Sequence, residues 1–158
     1  MLDRIWGRVE KVESKLRNRF GNSIDTPWQR FLSHVHFQLM DHGFLRVLWT
    51  NFYQFSPNAF RSNQPSPRRL KKYKELGVKT IINLRGTPKQ SHYLFEQEAC
   101  DALGLVLINC SMWARACTPK KHFIELFDYF DKIEGPFVLH CKSGADRASI
   151  AAAFYQIY

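Results

Sequence analysis

Eight residues, His140-Cys141-Lys142-Ser143-Gly144-Ala145-Asp146-Arg147, separate the apolar run Pro136-Phe137-Val138-Leu139 from the helix-forming run Ala148-Ser149-Ile150-Ala151-Ala152-Ala153-Phe154. The order is strand, tight loop, helix, and it commits the chain to an α/β fold with this loop beyond the C-terminal end of a strand. A loop so placed turns backbone N–H groups inward at the positive end of a helix dipole, so it binds an anion. The same field favours thiolate over thiol at Cys141. Arg147 adds a planar fork that matches two phosphate oxygens. A cradled phosphate beside a thiolate is the equipment for phosphoryl transfer to sulfur.

The rest of the chain is consistent with that architecture. Thr26-Pro27 predicts a cap and first helical position, opening a helix to about Met40 that Asp41-His42-Gly43 ends. Residues 49–55 and 59–61 read as two short strands around the turn Ser56-Pro57-Asn58. Ser66-Pro67 caps a helix ending at Gly77. Residues 78–84 form a buried strand, 91–103 a helix stopped by Gly104, and 105–109 the next strand. Thr118-Pro119 caps a helix to about Ile133, and 137–139 is the last strand. Strands alternating with helices predict a central, mostly parallel sheet flanked by helices. Arg85 and the 110–117 segment then fall at the same sheet edge as the cysteine loop. In front of this domain, residues 1–47 form a helical extension. Leu2, Ile5, Trp6, Val9, Val12, Leu16 and Phe20 recur there at helical spacing, giving an apolar stripe that docks on the core by default, or on a partner or a membrane interface.

At 158 residues the chain is one domain by size and buries about two thirds of its unfolded surface without disulfide staples. Cys100, Cys110, Cys117 and Cys141 show no paired close spacing, and with no signal peptide in front they read as reduced thiols of a cytoplasmic protein. No apolar run reaches the length of a membrane span. The net charge of +9 is uneven. Residues 67–90 hold Arg68, Arg69, Lys71, Lys72, Lys74, Lys79, Arg85 and Lys89 against Glu75 alone. Such a patch is either a solvated helix face or a collector of anions, which suits phosphorylated substrates and peripheral contact with an acidic membrane surface. Nucleic acid does not fit, since no binding motif is present and the aromatics are not interleaved with the basic run. No cofactor or metal is implied, because His34, His36, His42, His92 and His122 lack ligand spacing.

His-Cys-x5-Arg between a strand and a helix resembles the signature of the cysteine-dependent protein tyrosine and dual-specificity phosphatases, and the wording His140-Cys141-Lys142-Ser143-Gly144-Ala145-Asp146-Arg147-Ala148 is similar to small bacterial and fungal dual-specificity-like members. The run Phe60-Arg61-Ser62-Asn63-Gln64-Pro65-Ser66, followed by a helix and Thr80-Ile81-Ile82-Asn83-Leu84-Arg85, resembles the opening of the same members. The resemblance covers residues 48–158, the expected catalytic domain. It implies a two-step phosphomonoester hydrolysis with Cys141 as nucleophile and a cysteinyl-phosphate intermediate. Arg147 and the amides of Lys142, Ser143, Gly144, Ala145 and Asp146 hold the phosphate oxygens, with His140, Arg85 and Arg115 supporting. Gly144 relieves backbone crowding in the loop.

Three departures from that family accompany the resemblance. Its general acid usually comes from an Asp after the preceding strand, but residues 110–118 contain no carboxylate. Asp146, inside the loop, is the substitute, as in myotubularin-type lipid phosphatases; its alternative role is to order the loop. The family usually follows the arginine with Ser or Thr, where this chain has Ala148 and then Ser149, so breakdown of the cysteinyl-phosphate is expected to be slow. The chain ends at Tyr158, where family members usually add helices, so the domain is expected to be short at its C-terminus, with residues 1–47 or a partner filling in.

The substrate implied is a phosphoprotein on Tyr, Ser or Thr, or an inositol-phosphate or phosphoinositide-like molecule, the latter suggested by a basic residue, Lys142, after the nucleophile. Cys110 and Cys117 are either resolving thiols for Cys141 or inert. Two other readings stand beside the enzyme: a catalytically weakened phosphate-binding module, and a sulfur-transfer or arsenate-reducing enzyme, against which the Arg61-Ser62-Asn63-Gln64-Pro65 run weighs.

Overall fold

The computed structural model describes residues 20–158, so the amphipathic helix expected over residues 1–20 lies outside them apart from Phe20. In chain order the elements are α1 (Pro27–Val35), a π-helical turn (His36–Met40), a 3-10 turn (Gly43–Val47), β1 (Tyr53–Ser56), β2 (Ala59–Ser62), α2 (Pro67–Glu75), β3 (Thr80–Asn83), α3 (Ser91–Leu103), β4 (Val106–Asn109), α4 (Lys120–Lys132), β5 (Phe137–His140) and α5 (Asp146–Ile157). The five strands form one sheet in the order β1-β2-β5-β3-β4, antiparallel only between β1 and β2. The expected mostly parallel sheet flanked by helices is the fold of this chain.

The central strands β3 and β5 are buried on both faces, so their sequences read as continuous apolar runs rather than alternations. Their side chains still divide by the two-residue period. Ile81 and Val138 join Leu70, Tyr73 and Cys100 in the core under α2 and α3. Ile82, Phe137 and Leu139 face the other way, onto Leu126, Phe130, Ala148 and Ala151 of α4 and α5. The regular strand β3 is shorter than its apolar run, with Val78 and Leu84 packing as core just before and just after it.

Three helix ends differ from expectation, one being the start of α2, where Ser66 is the N-cap but its hydroxyl makes no capping bond. Thr26 caps α1 reciprocally with Gln29, but the α-helix ends at Val35 instead of running to Met40. A five-residue π turn follows, in which the Asp41 N–H reaches back to the His36 carbonyl at 3.0 Å. At α4 the residue before the helix is Pro119, and Thr118 Oγ1 instead accepts from the Trp113 N–H at 3.0 Å, so its hydroxyl ties down the preceding loop rather than the helix.

The described part of the N-terminal extension docks on α3. His34 stacks on Phe95, the Phe37 ring meets Phe95 edge-on, and Arg30 pairs with Glu98 in a two-pronged contact of 2.6 and 2.8 Å. Past the π turn the chain runs across the C-terminal ends of the sheet strands and brings Asp41 and Arg46 there.

Candidate active site

The C-terminal ends of the three central parallel strands converge below one loop. In register, His140 of β5 lies between Ser62 of β2 and Asn83 of β3. Beyond them the Leu84 N–H donates to the His140 carbonyl at 2.9 Å, and the Met112 N–H to the Leu84 carbonyl at 3.2 Å. Cys141 leaves β5 at this point with its side chain buried (1% exposed) in the floor. α5 begins at Asp146, so the loop spans residues 141–145 at that helix's N-terminus.

The loop is held from outside by its carbonyls. The Lys142 carbonyl accepts from the Gln64 N–H at 3.3 Å, that of Ser143 from Asn51 Nδ2 at 2.7 Å, and that of Gly144 from Arg61 Nη1 at 3.2 Å. A peptide unit whose C=O is tied outward turns its N–H inward, and the Gly144 N–H does point at Cys141 Sγ, 3.2 Å away. Gly144 has φ +75°, and a Cβ there would stand 2.6 Å from the Asn63 backbone nitrogen and 2.7 Å from the Ser62 carbonyl carbon. The loop is therefore pressed backbone to backbone against the end of β2, which only glycine permits. Arg147 is half-buried, and its Nη1 rests on the carbonyls of Leu84 at 3.4 Å and Met112 at 3.3 Å. Burial lowers its guanidinium pKa and Cys141 opposes that; the group stays charged.

A depression of about 250 Å³ opens over this loop, lined by Lys142, Ser143, Asp146 and Arg147 on one side and by Asp41, Arg46 and Trp49 of the preceding segment on the other. Asp41 organises the cations. Its Oδ1 lies 2.8 Å from Arg85 Nη2 and 3.6 Å from Lys142 Nζ, and its Oδ2 lies 2.8 Å from Arg46 Nη2. Arg85 also donates to Gln64 Oε1 at 2.8 Å. Burial pushes the Asp41 carboxyl up, but the guanidiniums of Arg85 and Arg46 outweigh it and hold the group well below the usual carboxylate range. Asp41 is thus a fixed anion. Lys142 is pressed below its ordinary value by burial, and Arg85 and Arg46 add to this while Asp41 opposes it. His92 behind Arg85 is driven down to about 3, first by burial and then by that guanidinium, so it is neutral.

Of the expected residues, Lys142, Ser143, Asp146 and Arg147 line the depression, Cys141 and Gly144 are buried in the same loop, Ala145 is exposed, and Arg85 reaches the depression through Asp41. Asp146 is exposed in the first turn of α5, beside Arg147. Arg115 is exposed on the 110–117 segment, where its neighbour Ala114 lines the depression instead. His140 is fully buried with Nε2 2.6 Å from Oε1 of an equally buried Glu96, a contact that braces β5 against α3. Ala148 is buried in the core, and Ser149 Oγ accepts from Arg61, so the hydroxyl nearest the missing one is engaged behind the loop. Burial pushes the Cys100 and Cys110 thiols up to about 12, which makes both poor nucleophiles; Cys117 is exposed.

Sequence reasoning passed over Asp41, Arg46, Asn51 and Glu96 as site residues. Asp41 read as a helix stop, and Glu96 carries no local signal of burial. Arg61 and Gln64 lie in the 60–66 run that carried the resemblance, but their bonds to the loop are visible only once β2 is laid beside β5.

No protein-family model matches the chain, and no curated protein matches it. Solved structures do. TpbA of P. aeruginosa is 23% identical over 68% of this chain and 63% of its own, with a TM-score of 0.53. The DUF442 protein of Shewanella putrefaciens CN-32 is 19% identical over 71% of this chain and 74% of its own, with a TM-score of 0.61. The core catalytic domain of the PP-IP phosphatase SIW14 of S. cerevisiae, in complex with citrate, is 18% identical over 65% of this chain and 62% of its own, with a TM-score of 0.55. The chain thus spans just under two thirds of the TpbA and SIW14 chains. A TpbA variant has been solved in complex with phosphotyrosine. These neighbours have the fold of the cysteine-dependent, dual-specificity-like phosphatases, and this chain shares it.

Proposed function

With that fold and a cysteine at the mouth of its central strand, the chain, we propose, hydrolyses phosphomonoesters through a cysteinyl-phosphate on Cys141. The observation that supports this reading is the outward anchoring of three successive loop carbonyls, with the Gly144 N–H turned onto the Cys141 sulfur. Cys141 Sγ attacks phosphorus and forms the S–P bond as the ester O–P bond breaks. The loop N–H groups and Arg147 stabilise the equatorial oxygens. Asp146 delivers its proton to the leaving oxygen. In the second step its carboxylate takes a proton from water, which attacks phosphorus and releases the thiolate.

Asp146 is assigned the acid because Asp41, the other carboxylate lining the depression among the described residues, is held ionised by its cations. Asp146→Asn is expected to slow turnover of alkyl phosphates by about 10²–10⁴ and to leave good aryl leaving groups little changed. A variant as fast as the parent on a phosphoserine peptide overturns the assignment. Trp49 and Leu45 give the depression an apolar wall suited to an aryl ring, while Lys142 and Arg46 suit a polyanionic inositol phosphate. The complex of the TpbA variant with phosphotyrosine and the name of SIW14 support both substrate classes.

The engagement of Ser149 by Arg61 holds that hydroxyl away from the departing thiolate, so the second step is expected to be slow. A time course on a chromogenic aryl phosphate tests the whole reading. The parent is expected to release a burst equal to the enzyme present and then turn over slowly, and Cys141→Ser to do neither while still binding phosphate. Phosphate binding by the parent without any turnover favours the binding-module reading instead, and a linear time course from the start overturns the slow second step.

A further inference from the structure

The basic segment 67–90 is not used up by the catalytic depression, which only Arg85 approaches. Arg68 and Lys72 line a second groove of about 320 Å³ on the other side of Arg46, together with Thr50, Gln64 and Ser66. Among the described residues, four that line it are cations, Arg69 being the fourth, and none is a carboxylate. α2 begins at this groove. Its N-cap Ser66 makes no capping bond with its hydroxyl, and its first turn holds no acidic residue, so the positive end of a nine-residue helix is uncompensated. A second observation is independent of the helix. Gln64 is 1% exposed and lines the groove; its Oε1 accepts from Arg85, while its Nε2 has no partner among the described residues. A buried donor left unmet is costly, and an anion in the groove meets it. Arg69 is spent on Ser62, Asn63 and Gln64 and shapes the wall.

We propose that this groove is a second phosphate-binding site, distinct from the Cys141 loop. Its unspent groups, Gln64 Nε2, the Ser66 hydroxyl, Arg68 and Lys72, are donors, and they select a ligand group that only accepts: the phosphate monoester dianion of an inositol phosphate, free or as a lipid headgroup. Val47, 78% exposed, lines the groove, and Leu48, 81% exposed, follows it, so a lipid surface is one source of that headgroup.

The test uses the full chain and inositol trisphosphate, titrated calorimetrically into the parent and into the double variant Arg68→Glu, Lys72→Glu. The double variant is expected to bind one equivalent fewer than the parent and to keep the parent's aryl phosphate activity. Lys71→Glu, Lys74→Glu, the same charge change on the same helix away from the groove, is expected to bind as the parent does. Superimposable titrations of the parent and the groove variant overturn the site, as does an equal loss in the control pair. If the parent takes one equivalent and the groove variant none, the groove stands and the phosphate cradle at Cys141 fails. Cosedimentation with phosphatidylcholine vesicles containing phosphatidylinositol bisphosphate separates the sources. Enrichment of about tenfold over plain vesicles, lost in the groove variant, assigns a lipid headgroup; soluble binding without enrichment assigns a free inositol phosphate.

Discussion

Gly144→Ala is expected to cut kcat/KM by about 10² and to destabilise the fold, while leaving every catalytic side chain in place. The new methyl group would lie 2.6 Å from the Asn63 nitrogen and 2.8 Å from the Ser62 carbonyl oxygen, both backbone atoms at the end of a central strand. Neither can move without disturbing the β2–β5 ladder, so the loop must retreat. Left-handed backbone adds about 1–2 kcal/mol for a residue with a Cβ, and overpacking about 1–3 kcal/mol. For a chain of this length about 3 kcal/mol lowers the melting temperature by roughly 6–12 °C. A loop displaced by about 1 Å from its phosphate costs on the order of 10² in rate. Thermal unfolding and kcat/KM on an aryl phosphate read the two effects separately. A variant with the parent's melting temperature and rate would show that the loop does not depend on its contact with β2.

Asp41→Asn is expected to produce the largest loss of stability of any single charge change at the site. It leaves Arg46 and Arg85, whose side chains are 7% and 10% exposed, and the half-buried Lys142 around a neutral amide. Removing one partner of a buried ionic cluster costs about 3–5 kcal/mol. The Asp41 carboxyl is held below its usual range when folded, so its contribution is present at neutral pH and is lost as pH falls below the ordinary carboxylate pKa of about 4. The variant should therefore differ most from the parent near neutrality and converge with it in acid. Added phosphate should raise the variant's melting temperature more than the parent's, because an anion in the depression replaces the missing carboxylate. Equal melting temperatures at pH 7 would show that the three cations are not held by Asp41.

Much of the fold is legible along the chain because its signals are local. The apolar runs at 78–84 and 137–139, the turns at Gly77 and Gly104, and the Thr26-Pro27 start depend on residues within one helical turn or strand of each other. The errors are equally physical. The start at Thr26-Pro27 and the stop at Asp41-His42-Gly43 predict a helix to Met40, whereas the structure widens the last turn to a π turn as the chain docks on Phe95. Thr118 has the residue type of a cap but is drawn to Trp113. In the site, Glu96 under His140 could not be read from sequence, because the pair joins α3 to β5 across a connection that no short-range pattern encodes.

By itself the sequence determined the chemistry of one loop: a cysteine and an arginine six positions apart, between a strand and a helix, place sulfur and guanidinium around a single anion, because strand-to-helix geometry leaves the chain little choice there. The residues that hold that loop were decided by the tertiary structure. Asn51, Arg61 and Gln64 hold its carbonyls, and Asp41 gathers Arg46, Arg85 and Lys142, because the parallel order β2-β5-β3 and the docking of the N-terminal segment bring distant backbone and charge together at one sheet edge. Local propensity acts over a few residues; burial of charge and the pairing of strands act over the whole chain, and their partners become visible only when it is folded.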